Sequence, residues 1–183
     1  MTQLKKYQAS VLSMLFECLP LGDEVDTLEF SLSGTFAGKY RAGHSTIEST
    51  DKPAQVVFSL PTYSRSVFLA LTRANPIETA RVLANLEDYE RESSLQLGLG
   101  EVVVTPDQVR RDSDTPFAVI LLRTATSLDC TNVPDQQDIC GQRTLFFLVV
   151  PITKGEWDLR RERGHDALMD KFQIDRKDLF FWG

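Results

Sequence analysis

Thr144-Leu145-Phe146-Phe147-Leu148-Val149-Val150-Pro151-Ile152-Thr153-Lys154-Gly155-Glu156 is the stretch that decides the fold. From Thr144 to Val150 both alternating faces are apolar, the pattern of a central strand covered on each side. Pro151 has no N–H to give to a ladder, so strand pairing is expected to stop about there. Thr153 stands three residues before Glu156, which is capping-box spacing. Its hydroxyl can accept from the Glu156 amide while the Glu156 carboxylate reaches back to the Thr153 amide. A helix is therefore predicted from near Lys154, with Trp157 turned inward.

Upstream, Phe117 to Leu122 reads as another buried strand. A polar loop from Thr124 to Gln142 joins it to the first, and two long apolar strands so connected pair most simply antiparallel. Val102 to Val104 is a short strand stopped by Pro106. Pro76 suits a helix start, and Ile77, Ala80, Leu83, Ala84 and Tyr89 can line one broad face of a helix running to Ser93. Val67 to Arg73 is apolar and fits either helix or strand. Gln55 to Leu60 is a strand ended by Pro61, and Thr27 to Leu32 alternates as a half-buried strand does. Gly34 and Gly38 mark turns around Phe36 and Tyr40. Leu4, Tyr7, Val11, Leu12, Leu15 and Cys18 recur at helical spacing in a segment from Gln3 to Leu19, stopped by Pro20. The expected fold class is α+β: a single domain, residues 1–183, with a mixed, largely antiparallel sheet flanked by helices.

Composition narrows the function. At 183 residues, 42% hydrophobic and 25% charged, the chain can bury a proper core. A formal charge of −6 argues against a nucleic-acid binder, which needs a concentrated basic face. Arg160-Arg161-Glu162-Arg163 reads as a solvated helix face. No apolar run approaches the roughly 20 residues of a membrane span, and Glu17 and Gln8 interrupt any secretory signal, so a cytoplasmic location is expected. Cys18 reads as a buried thiol, while Cys130 and Cys140 flank the polar loop and could meet across its neck. Only two histidines, His44 and His165, accompany the three cysteines, far apart in sequence. Neither a metal nor any other cofactor is expected.

Catalytic patterns are absent. There is no G-x-S-x-G elbow, no P-loop lysine and no G-x-G-x-x-G after a strand. Gly98-Leu99-Gly100 leads into Val102 to Val104 and reads as a turn. Glu87 to Glu92 reads as the solvated face of its helix. Asp112-Ser113-Asp114 lacks the glycine and distal glutamate of an EF-hand. His165 follows Gly164 at a helix break with no nucleophile beside it in sequence, and His44 lies in a polar segment. The chain does not read as an enzyme.

With the elements placed, the order of motifs from Pro76 to Phe172 resembles the Suppressor of fused family. The pieces are Pro76, Leu83 and an L-x-x-Y pattern at Leu86-Glu87-Asp88-Tyr89; then Gly100-Glu101 before a valine-rich strand; then a strand ending in leucines, Val119 to Leu122. Phe147-Leu148, Pro151-Ile152-Thr153, Glu156 and Gly164 to Leu168 follow in the family's closing order. The resemblance implies binding of an extended peptide. It places the tyrosine of L-x-x-Y, Tyr89, and the acidic residue after the glycine, Glu101, in the partner-binding site, with glutamate here where members carry aspartate. Small bacterial members of this type are linked to immunity proteins that bind and neutralise a toxin domain, and an acidic surface suits a basic toxin.

The expected function is accordingly a non-catalytic protein-binding domain, with immunity protein as its specific form. The partner is a toxin domain or an extended peptide, with no role for nucleic acid or membrane. Two other classes compete: an enzyme or small-ligand binder using a pocket that sequence does not show, and a structural or oligomerisation module. Oligomeric state is not legible in the sequence.

Overall fold

The computed structural model describes residues 4–32, 39–47, 53–106 and 115–181. Its strands are β1 (Asp26–Ser31), β2 (Lys39–Ile47), β3 (Ala54–Ser59), β4 (Ser66–Thr72), β5 (Val102–Val104), β6 (Ala118–Leu122), β7 (Gln136–Ile139), β8 (Gln142–Ile152) and β9 (Phe180–Phe181). Its helices are α1 (Lys6–Cys18), α2 (Pro76–Ser93) and α3 (Lys154–Ile174). The strands form one sheet in the order β1-β2-β3-β4-β8-β6-β5, with β7 also on β8 and β9 on β4. The β4–β8 and β4–β9 pairs are parallel and every other strand pair is antiparallel. This is the mixed, largely antiparallel α+β sheet expected from the pattern of elements.

Alternation along each strand sorts the apolar side chains onto two faces. On one, Val56, Phe58, Leu69, Ile120, Leu148 and Val150 meet Val11 and Leu15 of α1 and Leu168 and Phe172 of α3. On the other, Val57, Phe68, Ala70, Val119, Phe147 and Val149 meet Ala80, Leu83 and Leu86 of α2. The ambiguous Val67–Arg73 segment is therefore strand. All seven residues of β4 are buried, because β3 and β8 flank it and helices cover both faces. With no solvent side, it carries no alternation to read.

β8 ends at Ile152, one residue past Pro151, about where expected, while several other local expectations change. Pairing of β8 with β6 continues through Pro151, opposite Val119, to Ile152, opposite Ala118. The β4 ladder on the other side of β8 has already ended at Leu148. Beyond that point β8 is paired on one side, which is where a strand tolerates proline. The Thr124–Gln142 loop contains two 3-10 turns and β7. Cys130 and Cys140 are both free, one buried and one exposed. Burial pushes the Cys130 thiol up to about 12, making it a poor nucleophile. Cys18 is half-buried rather than buried. Gln8, which interrupts the apolar pattern of α1, is nonetheless buried; its Nε2 donates to Leu60 O at 3.1 Å and Thr62 Oγ1 at 3.0 Å. Gly34, Phe36 and Gly38 lie outside the described residues.

The capping box at α3 is formed as its spacing requires. Glu156 N donates to Thr153 Oγ1 at 3.2 Å, and Thr153 N donates to Glu156 Oε2 at 2.8 Å. Lys177 Nζ donates to both Glu156 oxygens, at 3.0 and 2.9 Å, so the same carboxylate also anchors the chain beyond α3. Trp157 packs half-buried against the sheet and Leu168 is fully buried there. Thr153→Ala should cost about 0.5–2 kcal/mol in a urea titration, the usual loss for an N-cap. A cost near zero would show that the cap does not hold the helix start. At Gly164, φ +89 and ψ 178 break the helical path, so α3 is two helical pieces meeting at a kink.

Candidate functional site

The site is built from the C-terminal half of α2 and the chain that returns from it. Asn75 caps α2, accepting from Ile77 N at 3.0 Å, and Pro76 occupies the first turn. The buried stripe then runs Ala80, Leu83, Leu86 and continues in register to Glu87 and Glu90, which are 1% and 6% exposed. The expectation of a solvated face for these two glutamates is corrected. Glu87 Oε1 accepts from the backbone amides of Thr62 and Tyr63, both at 2.6 Å, and of Ser64 at 3.3 Å. Glu90 Oε1 accepts from Ser66 Oγ at 2.8 Å and Leu97 N at 2.7 Å. Burial raises both carboxyls above the ordinary glutamate range, and these hydrogen bonds only partly oppose it.

These two carboxylates shape the site. Glu87 fastens the β3–β4 connection to the helix. Glu90 catches the chain after α2, which has turned at Ser94 through a left-handed conformation, φ 55. So tethered at Leu97, the segment runs back beside α2 and into β5. Gly98 N donates to Glu101 Oε2, which orients the Glu101 carboxylate.

Between helix and strand lies a cleft of 430 Å³. One wall is the α2 stripe Asn85, Asp88, Tyr89 and Glu92; the other runs from Leu97 through Glu101 and along β5. Tyr89 and Glu101 thus line the same cleft. Tyr89 is 45% exposed and Glu101 is exposed. Ile77 and Tyr89, expected on the packed face, instead lie at its rim, because α2 turns Leu86, Glu87 and Glu90 inward. Arg91 holds Asp88 by Nη2 at 3.0 Å and Glu92 at 3.2 Å, and the buried Tyr40 hydroxyl donates to Asp88. Among the described residues, one guanidinium against three carboxylates leaves the cleft negative.

β5 is the terminal strand of the sheet and, among the described residues, pairs with β6 alone. Glu101 O accepts from Leu121 N at 3.0 Å and Thr105 N donates to Phe117 O at 2.9 Å. In an antiparallel ladder the main-chain groups alternate in direction. Those of Val102 and Val104 therefore face away from β6, toward the edge that is open among the described residues.

A second concavity, of 480 Å³, adjoins the first at Glu101. Leu99, Leu121 and Leu122 contribute apolar surface, and Arg123, Arg160 and His165 contribute basic groups. Arg160, expected on a solvated face, is half-buried. Its Nη2 donates to Gly100 O at 2.7 Å, and its buried Nε has no partner among the described residues. Gly100 has φ +77, a conformation that favours glycine, and a Cβ there would stand 3.1 Å from Cε1 of the exposed His165. His44 lies in β2, half-buried, its Nδ1 sharing a 2.9 Å hydrogen bond with Gln55 Oε1. Asp112-Ser113-Asp114 falls outside the described residues. Among the described residues no three His, Cys, Asp or Glu side chains converge as metal ligands. No described helix is long and apolar enough to cross a membrane.

Of the cleft, Tyr89 and Glu101 were nominated from the sequence. Asn85, Asp88 and Glu92 were not, although with Tyr89 they keep i, i+3, i+4, i+7 spacing and could have been read as one polar stripe. Arg160 and His165 come from α3 and Arg123 from the far end of β6, so they carry no common signal in the sequence.

Comparison with known proteins agrees with this architecture. A Suppressor of fused homologue from Neisseria gonorrhoeae FA 1090 superposes with a TM-score of 0.65 at 15% identity, over 96% of this chain and 91% of its own. A chain of the Sufu-Fu complex superposes at 0.67 and 8% identity, over 94% and 84%. Drosophila Suppressor of Fused gives 0.56 at 9% identity, over 76% of this chain and 39% of that one. At such identities the likeness is one of fold. No curated protein matches the sequence. The family model described as Suppressor of fused protein (SUFU) matches residues 41–181, most of the chain, and the chain therefore belongs to the Suppressor of fused family.

Proposed function

We propose that this chain is a non-catalytic protein-binding domain that takes an extended segment of a partner along β5, with Tyr89 and Glu101 selecting its side chains. One observation carries the reading: both residues line a single cleft beside the strand whose outer edge is open among the described residues. Strand addition supplies main-chain hydrogen bonds from Val102 and Val104, while a phenol and a carboxylate supply selectivity. Kinship with a protein solved as the Sufu-Fu complex supports the same class of function. The specific form we favour is an immunity protein acting as one domain in the cytoplasm, where free cysteines persist. The negative cleft and the formal charge of −6 suit a basic toxin domain.

Selection of extended peptides from a displayed library, followed by NMR titration of the labelled protein, tests this. The amides of Val102 and Val104 should shift on binding. Tyr89→Ala should weaken the selected peptide by about thirtyfold, as loss of an interface hot spot does, and Glu101→Lys should weaken basic peptides at least as much. Undiminished affinity in both variants, with unchanged folding, would remove this site from consideration.

A further inference from the structure

The concavity lined by Arg123, Thr126, Arg160 and His165 is a separate feature from the cleft beside Tyr89. Leu122 belongs to the sheet face covered by α1 and α3, whereas the Tyr89 cleft lies against the face covered by α2. The concavity forms where the chain enters β5 next to the end of β6. There Gly100 N donates to Leu121 O at 2.7 Å and Leu121 N donates to Glu101 O at 3.0 Å. α3 closes it from the side, with Arg160 Nη2 donating to Gly100 O at 2.7 Å. Gly164 has φ +89 and open space where a Cβ would stand, so the glycine serves the kink itself. That kink begins the helical piece that carries His165 to Gly100.

Arg160 carries a charge that the described fold does not answer. Among the described residues its partner is one carbonyl oxygen, and its buried Nε has none. A neutral donor would hold that carbonyl as well, whereas a half-buried guanidinium without a counter-charge is costly. Arg123 stands at the rim with its side chain 71% exposed, loosely paired with Asp135 at 3.6 Å. With the imidazole counted as neutral, two guanidiniums against the Glu101 carboxylate leave the described lining one positive charge in excess. That excess matches a monoanion better than a dianion. Guanidinium takes carboxylate through paired N–H donors, and the Thr126 hydroxyl and His165 ring add hydrogen-bonding capacity. Leu99 and Leu122 offer aliphatic surface, and no Phe, Tyr or Trp is among the described lining residues to stack on a flat ring.

We propose that this concavity binds a small aliphatic monocarboxylate, its charge answered by Arg123 and Arg160 and its alkyl chain laid on Leu99 and Leu122. Glu101, at the border, repels a second negative charge and so disfavours phosphate esters of the same size. The site needs neither a partner protein nor the edge of β5, and it stands or falls independently of the proposed function.

NMR titration of the labelled full chain with hexanoate, acetate, hexylammonium and hexyl phosphate tests the proposal. The titrations share one ionic strength and a mildly alkaline pH, where the phosphate ester is a dianion. Hexanoate should shift the amides of Gly100, Leu122 and His165 to saturation and bind at least tenfold more tightly than acetate. Each buried methylene adds about fourfold, so burying two of its four extra methylenes is enough. Hexyl phosphate should bind at least fivefold more weakly than hexanoate, and hexylammonium should shift none of these amides. Arg123→Gln, whose exposed side chain leaves the fold intact, should weaken hexanoate by about fivefold. Arg160→Gln should weaken it further, read against an otherwise native spectrum because Arg160 also holds Gly100. Equal affinity for acetate and hexanoate, tighter binding of the phosphate ester, or unchanged affinity in Arg123→Gln overturns the proposal. Absence of any shift overturns it too, as do shifts confined to Tyr89, Val102 and Val104, which would put the ligand in the other cleft.

Discussion

Glu87→Ala should destabilise the protein by about 3 kcal/mol or more, whereas Glu87→Gln should cost clearly less at neutral pH. Glu87 Oε1 is the shared acceptor of the Thr62, Tyr63 and Ser64 amides. Removing it strands buried N–H groups, at about 1–3 kcal/mol for each that finds no replacement. Glutamine keeps that carbonyl oxygen. It places its amide nitrogen where Oε2 now sits buried with no partner among the described residues. Urea unfolding of both variants at neutral pH decides the matter, and a mild alanine variant would show that the loop is not held by this carboxylate.

The same residue predicts a pH dependence. Burial raises the folded-state value of Glu87 above its unfolded value, with the neighbouring Glu90 carboxylate adding to the shift. The stabilising contribution of its protonated form is fully present below the unfolded value and is lost as pH rises through the folded one. Relative to Glu87→Gln, the parent should therefore gain stability as pH falls from neutral toward the ordinary glutamate range. A parallel pair of stability curves would contradict the shift.

Gly43→Val should destabilise the sheet by about 3 kcal/mol, comparable to the larger core lesions. Gly43 faces Phe58 across the β2–β3 ladder, and a Cβ there would lie 2.5 Å from Phe58 Cε2 and 2.6 Å from Cζ. Phe58 is fully buried between the sheet and α1, so its ring has nowhere to go. The glycine is needed for a side chain's space rather than for its own backbone freedom. Gly43→Ala combined with Phe58→Leu should cost less than the sum of the two single changes, by about 1 kcal/mol of coupling. Additive losses would mean that the ring is not what excludes a Cβ.

Where structure depends on neighbours in the chain, the sequence was enough. The capping box at Thr153 and Glu156 is closed by hydrogen bonds within four residues, so its spacing alone identified it. β1 and β6 declared themselves through side-chain period and apolar content, and the β6–β8 pairing through the loop that joins them. β4 did not, because burial on both faces erases the alternation that distinguishes a strand. Pro151 marked the end of β8 to within one residue, but it did not say which ladder would stop first. Whether a proline ends a strand depends on how far the opposite ladder extends, and that ladder belongs to β4, far upstream.

The candidate site divides in the same way. Family resemblance nominated Tyr89 and Glu101 from local motifs, and helical period carried the buried stripe of α2 straight through Glu87 and Glu90. Only the tertiary structure supplied the acceptors' partners, at residues 62–66 and 97, that make two buried carboxylates tolerable. Only it showed that the Glu90–Leu97 bond returns the chain so that Tyr89 and Glu101 share a cleft, and that Arg123, Arg160 and His165 meet beside it. Local hydrogen bonds and side-chain period are written in short stretches of sequence; a cleft and its charge are made by segments that meet only when the sheet has closed.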